Sequence, residues 1–268
     1  KAGDHVGIGN MVDSCLSCLS CHDGKEQWCD KQVATYNGKD WSGRAAEGGG
    51  GTYTMGGFST AMVVHEHFCI VVPKSYPLEH AGPVMCAGTT MYAPLREHGV
   101  RSGTRIGIIG LGGLGVMGIK LGKALGCVVI VISRGEAKRD LAMRSGADAY
   151  VSSSDASQMA AHAASLDVIL NTIPSSHDTA PFLELLTADG KHVHVGLHAT
   201  AIAAGTTNYL LPGRQKERMT YIGGLASTQE VMDLCAAADI RTEVDVRPVT
   251  HLNRIFEALD GTNESGAR

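Results

Sequence analysis

The sequence predicts an α/β fold: a doubly wound, six-stranded parallel sheet joined to a smaller β-rich domain. Three observations carry this. From about residue 88, near-continuous apolar strands alternate with segments of helical period, the pattern of a parallel sheet covered on both faces. The first of those strands runs into a glycine-rich turn that opens a helix. Before residue 88 the chain is irregular, rich in Gly, Cys and His, with only short apolar runs.

Composition narrows the class. The chain has 268 residues, 44% hydrophobic and 19% charged. This is globular composition, neither disordered nor a small disulfide scaffold. A formal net charge of −4 gives no basic footprint for nucleic acid. No apolar run reaches the roughly 18 residues of a transmembrane helix. The 34 glycines and only 5% aromatics suggest tight turns and close backbone approaches to ligands. Lys1 reads as entering in mid-domain, and Gly261 to Arg268 as stopping abruptly, so a fragment is expected.

In the first domain, expected over 1–87, the stretch from Asp4 to Gly9 reads as a strand. Ala61-Met62-Val63-Val64 and Cys69-Ile70-Val71-Val72 are apolar runs. The second domain is expected over 88–223. Its strands are Arg105 to Ile109, Cys127 to Ile132, Ala149 to Val151, Asp167 to Asn171, Lys191 to Val195 and Met219 to Ile222. Helices are expected at Val116 to Leu125, Glu136 to Ser145 and Phe182 to Leu186. From 224 to 268 the chain is expected to return to the first domain. That part holds a helix over 227–239, a short strand, and a last helix from Leu252 to Leu259.

Gly110-Leu111-Gly112-Gly113-Leu114-Gly115 follows the first sheet strand. Gly110 permits the tight turn, Gly112 lets the backbone approach a pyrophosphate, and Gly115 allows close helix–strand packing. The helix N-terminus offers free N–H groups to the anion. A turn without ligand is the alternative, but strand, turn, helix and second strand are all in place. The second strand ends at Ser133-Arg134, where an NAD site would place an acid. With Lys138 and Arg139 nearby, a hydroxyl and cations suit a 2′-phosphate, so NADP(H) is expected. Lys138 and Arg139 could instead decorate an exposed helix face.

Of eight cysteines, Cys15, Cys18, Cys21 and Cys29 cluster, spaced by two, two and seven residues. In a cytoplasmic chain such thiols stay reduced, which points to metal rather than disulfides. Four thiolates close a tetrahedral zinc site with no open position, hence a structural one. Redox thiols or an iron–sulfur cluster are the alternatives.

With these two features the chain resembles the zinc-dependent medium-chain alcohol dehydrogenases, and among them the cinnamyl alcohol dehydrogenase group. The matching pieces are GDHVGIG (3–9), SCLSCLSCHDGKEQWC (14–29), TYNG (35–38), GGFS (56–59), CAGTTMYAPL (86–95), GIIGLGGLGVMGIKLGKALG (107–126), VIS (131–133), GADAYVSS (146–153) and IGG (222–224). The resemblance implies a Rossmann domain beside a GroES-like catalytic domain with a zinc lobe. It also implies a homodimer acting on small alcohols and aldehydes. Cys86 would bind a catalytic zinc. Ser133, Arg134 and Lys138 would meet the 2′-phosphate, with Arg134 where the family more often has Ser or Thr. Thr90, Thr172, Gly196, Thr220, Tyr221 and Ile222 would line the nicotinamide half.

Two departures stand out. The family's other catalytic-zinc ligands belong upstream of Lys1, so residues 1–268 alone are expected to be inactive. His65-Glu66-His67 reads as structural, in a strand-like stretch where both His point the same way. The Gly-rich stretch from Ser42 to Met55 is longer than the family's loop and suggests an altered rim, with Trp41 beside it. The rival readings are a zinc-free quinone-reductase-like enzyme of this fold and a non-catalytic NADP-binding or zinc-stabilised protein.

Overall fold

The computed structural model describes residues 1–40, 53–196 and 217–260. Trp41 and the Gly-rich stretch as far as Thr52 lie outside the described residues. The chain divides into two compact units: Lys1–Ala93 with Tyr221–Asp239, and Pro94–Thr220 with Ile240–Arg268. This differs from the expected limits of 87 and 223 by a few residues. It also places the chain from Ile240 with the second unit rather than the first.

The first unit has short strands only. These are β1 (Val6–Ile8), β2 (Met11–Asp13), β3 (Val33–Ala34), β4 (Tyr36–Lys39), β5 (Tyr53–Met55) and β6 (Cys69–Val71). They pair antiparallel as β1–β6, β2–β3 and β4–β5. One apolar run stays unpaired here, and one expectation fails. The run from Ala61 to Val64 forms no strand, and Val63 is 100% exposed; hydrophobicity without a pairing partner does not make a strand. His65 to His67 is likewise not strand-like. Glu66–Phe68 is a 3-10 turn whose cap is His65, its ring accepting from the His67 amide at 3.2 Å. Helical pieces in this part are α1 (Leu19–His22), α2 (Ala81–Pro83), a π-helical turn at Val84–Gly88, and α3 (Thr89–Glu97).

In the second unit the six-stranded sheet is present as expected. Its strands are β7 (Arg105–Ile109), β8 (Val128–Ser133), β9 (Ala149–Ser152), β10 (Leu166–Asn171), β11 (Leu186–His194) and β12 (Glu217–Met219). All pairs are parallel, in the order β12-β11-β10-β7-β8-β9. That is the doubly wound order, with its switch point between β7 and β10. The helices are α4 (Gly113–Ala124), α5 (Arg139–Arg144), α6 (Ala156–Ala161) and α7 (Ala180–Leu183). Ile109, Ile130, Ile132, Val151, Leu166, Ile169, Phe182, Leu185 and Leu186 form one buried cluster. Each such side chain contributes about 1.5–3 kcal/mol by leaving water.

The element ends deviate for local reasons. α4 starts one turn earlier than its apolar period suggests, because the glycine turn itself is its first turn. Leu186 begins β11 rather than ending a helix. The last sheet strand stops at Met219, and Ile222 takes φ +40°, left-handed backbone that a strand cannot include. After α8 (Leu225–Ala237) no strand occurs among the described residues. A 3-10 turn at Val249–His251 leads directly into α9 (Leu252–Asp260). Among the described residues, no helix is long and apolar enough to cross a membrane.

A Cβ added at Gly115 would stand 2.3 Å from the Gly110 carbonyl oxygen, whereas one at Gly112 would meet nothing within 4 Å. Gly115→Ala is therefore expected to cost about 1–3 kcal/mol in urea unfolding. Gly112→Ala should stay within about 0.5 kcal/mol of the parent.

Candidate functional site

The four clustered cysteines sit on the connection between β2 and β3. Cys18 caps α1, Cys21 lies within it, and Leu16 takes φ +55° to fold the loop over. Their four sulfurs lie within 4.8 Å of one another. Cys18 Sγ is 3.6 Å and Cys15 Sγ 3.9 Å from Cys21 Sγ. A tetrahedron with metal–sulfur bonds of about 2.3 Å has edges of about 3.8 Å. The donor set therefore fits zinc in both chemistry and spacing.

Amide groups already face the sulfurs. Cys18 N–H donates to Cys15 Sγ at 3.3 Å, while Cys15 N–H at 3.4 Å and Lys31 N–H at 3.3 Å donate to Cys29 Sγ. Bonds from Ser17 bring the Cys15 thiol down to about 6. Burial pushes Cys29 up to about 12 and raises Cys21 as well. Four thiolates this close need a shared cation to ionise together.

A residue the sequence reading passed over ties this lobe down. Glu26, 2% exposed, accepts the Leu225 amide of α8 at 3.0 Å and lies 3.3 Å from His67 Nε2. His65 and His67 thus serve a turn and a buried carboxylate. Neither belongs to a metal-ligand group among the described residues.

Cys86 is exposed, within the π-helical turn. The Thr90 hydroxyl donates to the Cys86 carbonyl at 2.7 Å. Among the described residues, neither cluster of potential ligands includes Cys86. Tyr221 and Ile222 are also in the first unit. The Tyr221 ring lies 6.3 Å from that of Trp28, and Ile222 borders a cavity of about 10 Å³ with Met85, Thr89 and Thr228.

In the second unit the glycine turn leaves β7 at the switch point. Gly110 has φ +86°, and its amide donates to the Ile132 carbonyl at 3.0 Å. Thr172 Oγ1 donates to the Ile109 carbonyl at 2.9 Å, holding the turn from the side of β10. Leu111, Gly113 and Gly115 are buried, Leu114 is half-buried and Gly112 is exposed. Open space therefore lies beside Gly112, the N-cap of α4, where a Cβ would meet nothing within 4 Å.

Ser133 ends β8 half-buried and Arg134 is exposed. Lys138 Nζ donates to the Leu111 carbonyl at 2.8 Å, which brings its charge against the turn. Arg139 pairs with Glu136 and lies 4.9 Å above the Tyr150 ring, the decorative role considered for it. That pairing holds the Glu136 carboxyl below its ordinary range and offsets the acid nearest the strand end. Gly196 and Thr220 follow β11 and β12. Their amides donate to Asn171 O at 3.0 Å and His194 O at 3.1 Å. A buried cluster of His192, His194 and Glu217 stands behind them. Its signal was legible: two His spaced by two in a strand share a face.

The family model of zinc-binding dehydrogenases matches residues 113–237. A probable cinnamyl alcohol dehydrogenase of Picea abies is 40% identical over 97% of this chain and 71% of its own length. A mannitol dehydrogenase of Apium graveolens is 41% identical over 97% of this chain and 69% of its own. Among solved structures, a cinnamyl alcohol dehydrogenase of Sorghum bicolor has TM-score 0.82 at 37% identity, covering 97% of this chain and 72% of that one. The Helicobacter pylori enzyme complexed with NADP(H) has TM-score 0.81 at 34% identity, with the same two coverages of 97% and 72%. The chain belongs to the zinc-dependent medium-chain alcohol dehydrogenases, in the cinnamyl alcohol dehydrogenase group.

The sulfur geometry has a direct check. The purified chain is expected to carry about one tightly held zinc. A Cys18→Ser, Cys21→Ser double variant should lose it by elemental analysis. Unchanged zinc content would place the metal elsewhere.

Proposed function

We propose that the protein interconverts primary alcohols, aryl or otherwise bulky, and the corresponding aldehydes by hydride transfer with NADP(H). The open cradle at Gly112 is the single observation that carries this. At Gly112, the N-cap of α4, a would-be Cβ meets nothing within 4 Å, which supports close approach of a pyrophosphate to the backbone there. Bound NADPH supplies the hydride, and the reverse reaction returns it.

The residues divide the work. N–H groups of Gly113, Leu114 and Gly115 hold the pyrophosphate, with Gly110 and Leu111 shaping the turn. The Ser133 hydroxyl and the Arg134 and Lys138 cations hold the 2′-phosphate. Thr172, Gly196 and Thr220 support the nicotinamide half from the strand ends. The Thr172 hydroxyl is committed to the Ile109 carbonyl, so it orients the turn rather than the ligand. Cys15, Cys18, Cys21 and Cys29 hold a structural zinc that stands in for the core their loop lacks. Cys86 supplies one thiolate toward a catalytic zinc. A single thiolate does not fix an open coordination position, so the chemistry of that metal is not assigned to the described residues.

The mannitol dehydrogenases at 41% identity favour polyols as a second substrate class. Titration of the NADP-loaded chain with cinnamyl alcohol and with mannitol decides between the two by which alcohol binds. In this reading the protein is cytoplasmic, where its thiols stay reduced, and homodimeric.

Fluorescence titration tests the cofactor. NADPH is expected to bind at least about tenfold more tightly than NADH, or roughly 1.4 kcal/mol, from charge-assisted bonds to the 2′-phosphate. Ser133→Asp should erase that preference by like-charge repulsion. Equal affinities in the parent chain would refute the assignment.

A further inference from the structure

One buried polar cluster takes no part in the chemistry above. Asn171 closes β10, His192 and His194 stand two apart on β11, and Glu217 opens β12 in register with His192. All four are between 0 and 6% exposed. His177 and Thr179, from the loop between β10 and α7, join the same cluster.

The bonds assign places to the protons. The Ile173 amide donates to Asn171 Oδ1 at 3.1 Å, which turns the amide nitrogen toward two imidazoles. Asn171 Nδ2 donates to His177 Nε2 at 2.8 Å and to His192 Nε2 at 3.2 Å. A neutral ring that accepts at one nitrogen carries its proton on the other. His192 therefore bears its proton at Nδ1, which faces Glu217 Oε1 at 3.8 Å. The same carboxylate oxygen accepts from His194 Nε2 at 3.1 Å and from the Thr179 hydroxyl at 2.9 Å.

Two His and a carboxylate with ligand atoms within 4.8 Å have the composition of a transition-metal site. The proton positions argue for another use. Ligation through His192 Nδ1 would move that proton to Nε2, where Asn171 already points an N–H.

The network instead adjoins three strand ends. Thr172 follows Asn171 directly. The Gly196 amide donates to Asn171 O at 3.0 Å, and the Thr220 amide to His194 O at 3.1 Å. A Cβ on Gly196 would stand 2.3 Å from Ile173 O, so this strand end is already in close contact with the loop. We infer that Asn171, His192, His194 and Glu217 are positioning residues, whose hydrogen bonds set the spacing of Thr172, Gly196 and Thr220 and so seat the nicotinamide half of the cofactor. This rests on the nicotinamide-nucleotide reading above. Apolar side chains could fill the same volume, but only directional bonds hold neighbouring strand ends to the tolerance that hydride transfer needs.

Two nucleotides separate positioning from mere stability. NADPH spans the whole site, whereas 2′,5′-ADP has the adenosine half and 2′-phosphate without nicotinamide. Glu217→Gln and Thr179→Val are each expected to weaken NADPH about tenfold. Both should leave 2′,5′-ADP within about twofold of the parent chain. Thr179→Ser keeps the hydroxyl and should bind both nucleotides like the parent. Circular dichroism and the zinc content of the sulfur lobe report folding. If Glu217→Gln does not fold, the Thr179 pair decides. Equal loss of both nucleotides, or loss of neither, overturns the inference. So does cobalt bound beyond the sulfur lobe's ion and released on His194→Gln, which would make the cluster a metal site. If the parent chain binds 2′,5′-ADP but not NADPH, or neither, the nicotinamide reading itself falls and takes this inference with it.

Discussion

The approach of Gly115 to the Gly110 carbonyl is the constraint on which the nucleotide half of this protein depends. No side chain fits there, so α4 can start directly at the end of β7. That short connection puts the helix N-terminus at the switch point of the sheet, beside the exposed Gly112. A longer turn would pull the helix away from the strand end and blunt its positive pole at the site. The rest follows from that placement. Thr172 braces the turn from β10, Ile132 accepts the Gly110 amide from β8, and Lys138 caps Leu111.

The first unit meets a different problem. Its strands are two to four residues long and pair only in twos, and an isolated two-stranded pair is marginally stable in water. The sulfur lobe offers an alternative to a larger core. A shared cation would let closely spaced thiolates ionise, converting mutual repulsion into cross-links. Glu26 connects the lobe to α8 through the Leu225 amide, so the lobe's order is passed to a helix far away in sequence.

Polar groups are placed in the sheet core with similar economy. Asn171, His192, His194 and Glu217 occupy strand positions that apolar residues could fill, yet hydrogen bonds tie Asn171 to His192 and His194 to Glu217. Burial of such groups is tolerated only when they are paired. Here the pairing also joins β10, β11 and β12 next to the strand ends.

What the sequence determined by itself was whatever rests on local pattern. Apolar strands between helical segments gave the parallel sheet, because burial on both faces leaves a continuous hydrophobic run. The glycine spacing announced the turn: Gly110 takes φ +86°, and a Cβ on Gly115 would stand 2.3 Å from the Gly110 carbonyl oxygen. The cysteine spacing announced the lobe, because one loop can close around one ion. Tertiary structure alone decided the rest. Ala61 to Val64 is an apolar run without a strand to pair with, and His65 to His67 looked extended but caps a turn. Ile222 was read as strand, yet it takes left-handed backbone ahead of α8. Glu217 drew no notice because its meaning depends on β12 lying beside β11, two elements whose register no local pattern states. Pairing between distant segments is decided by the whole packed core, and there the sequence read one residue at a time falls silent.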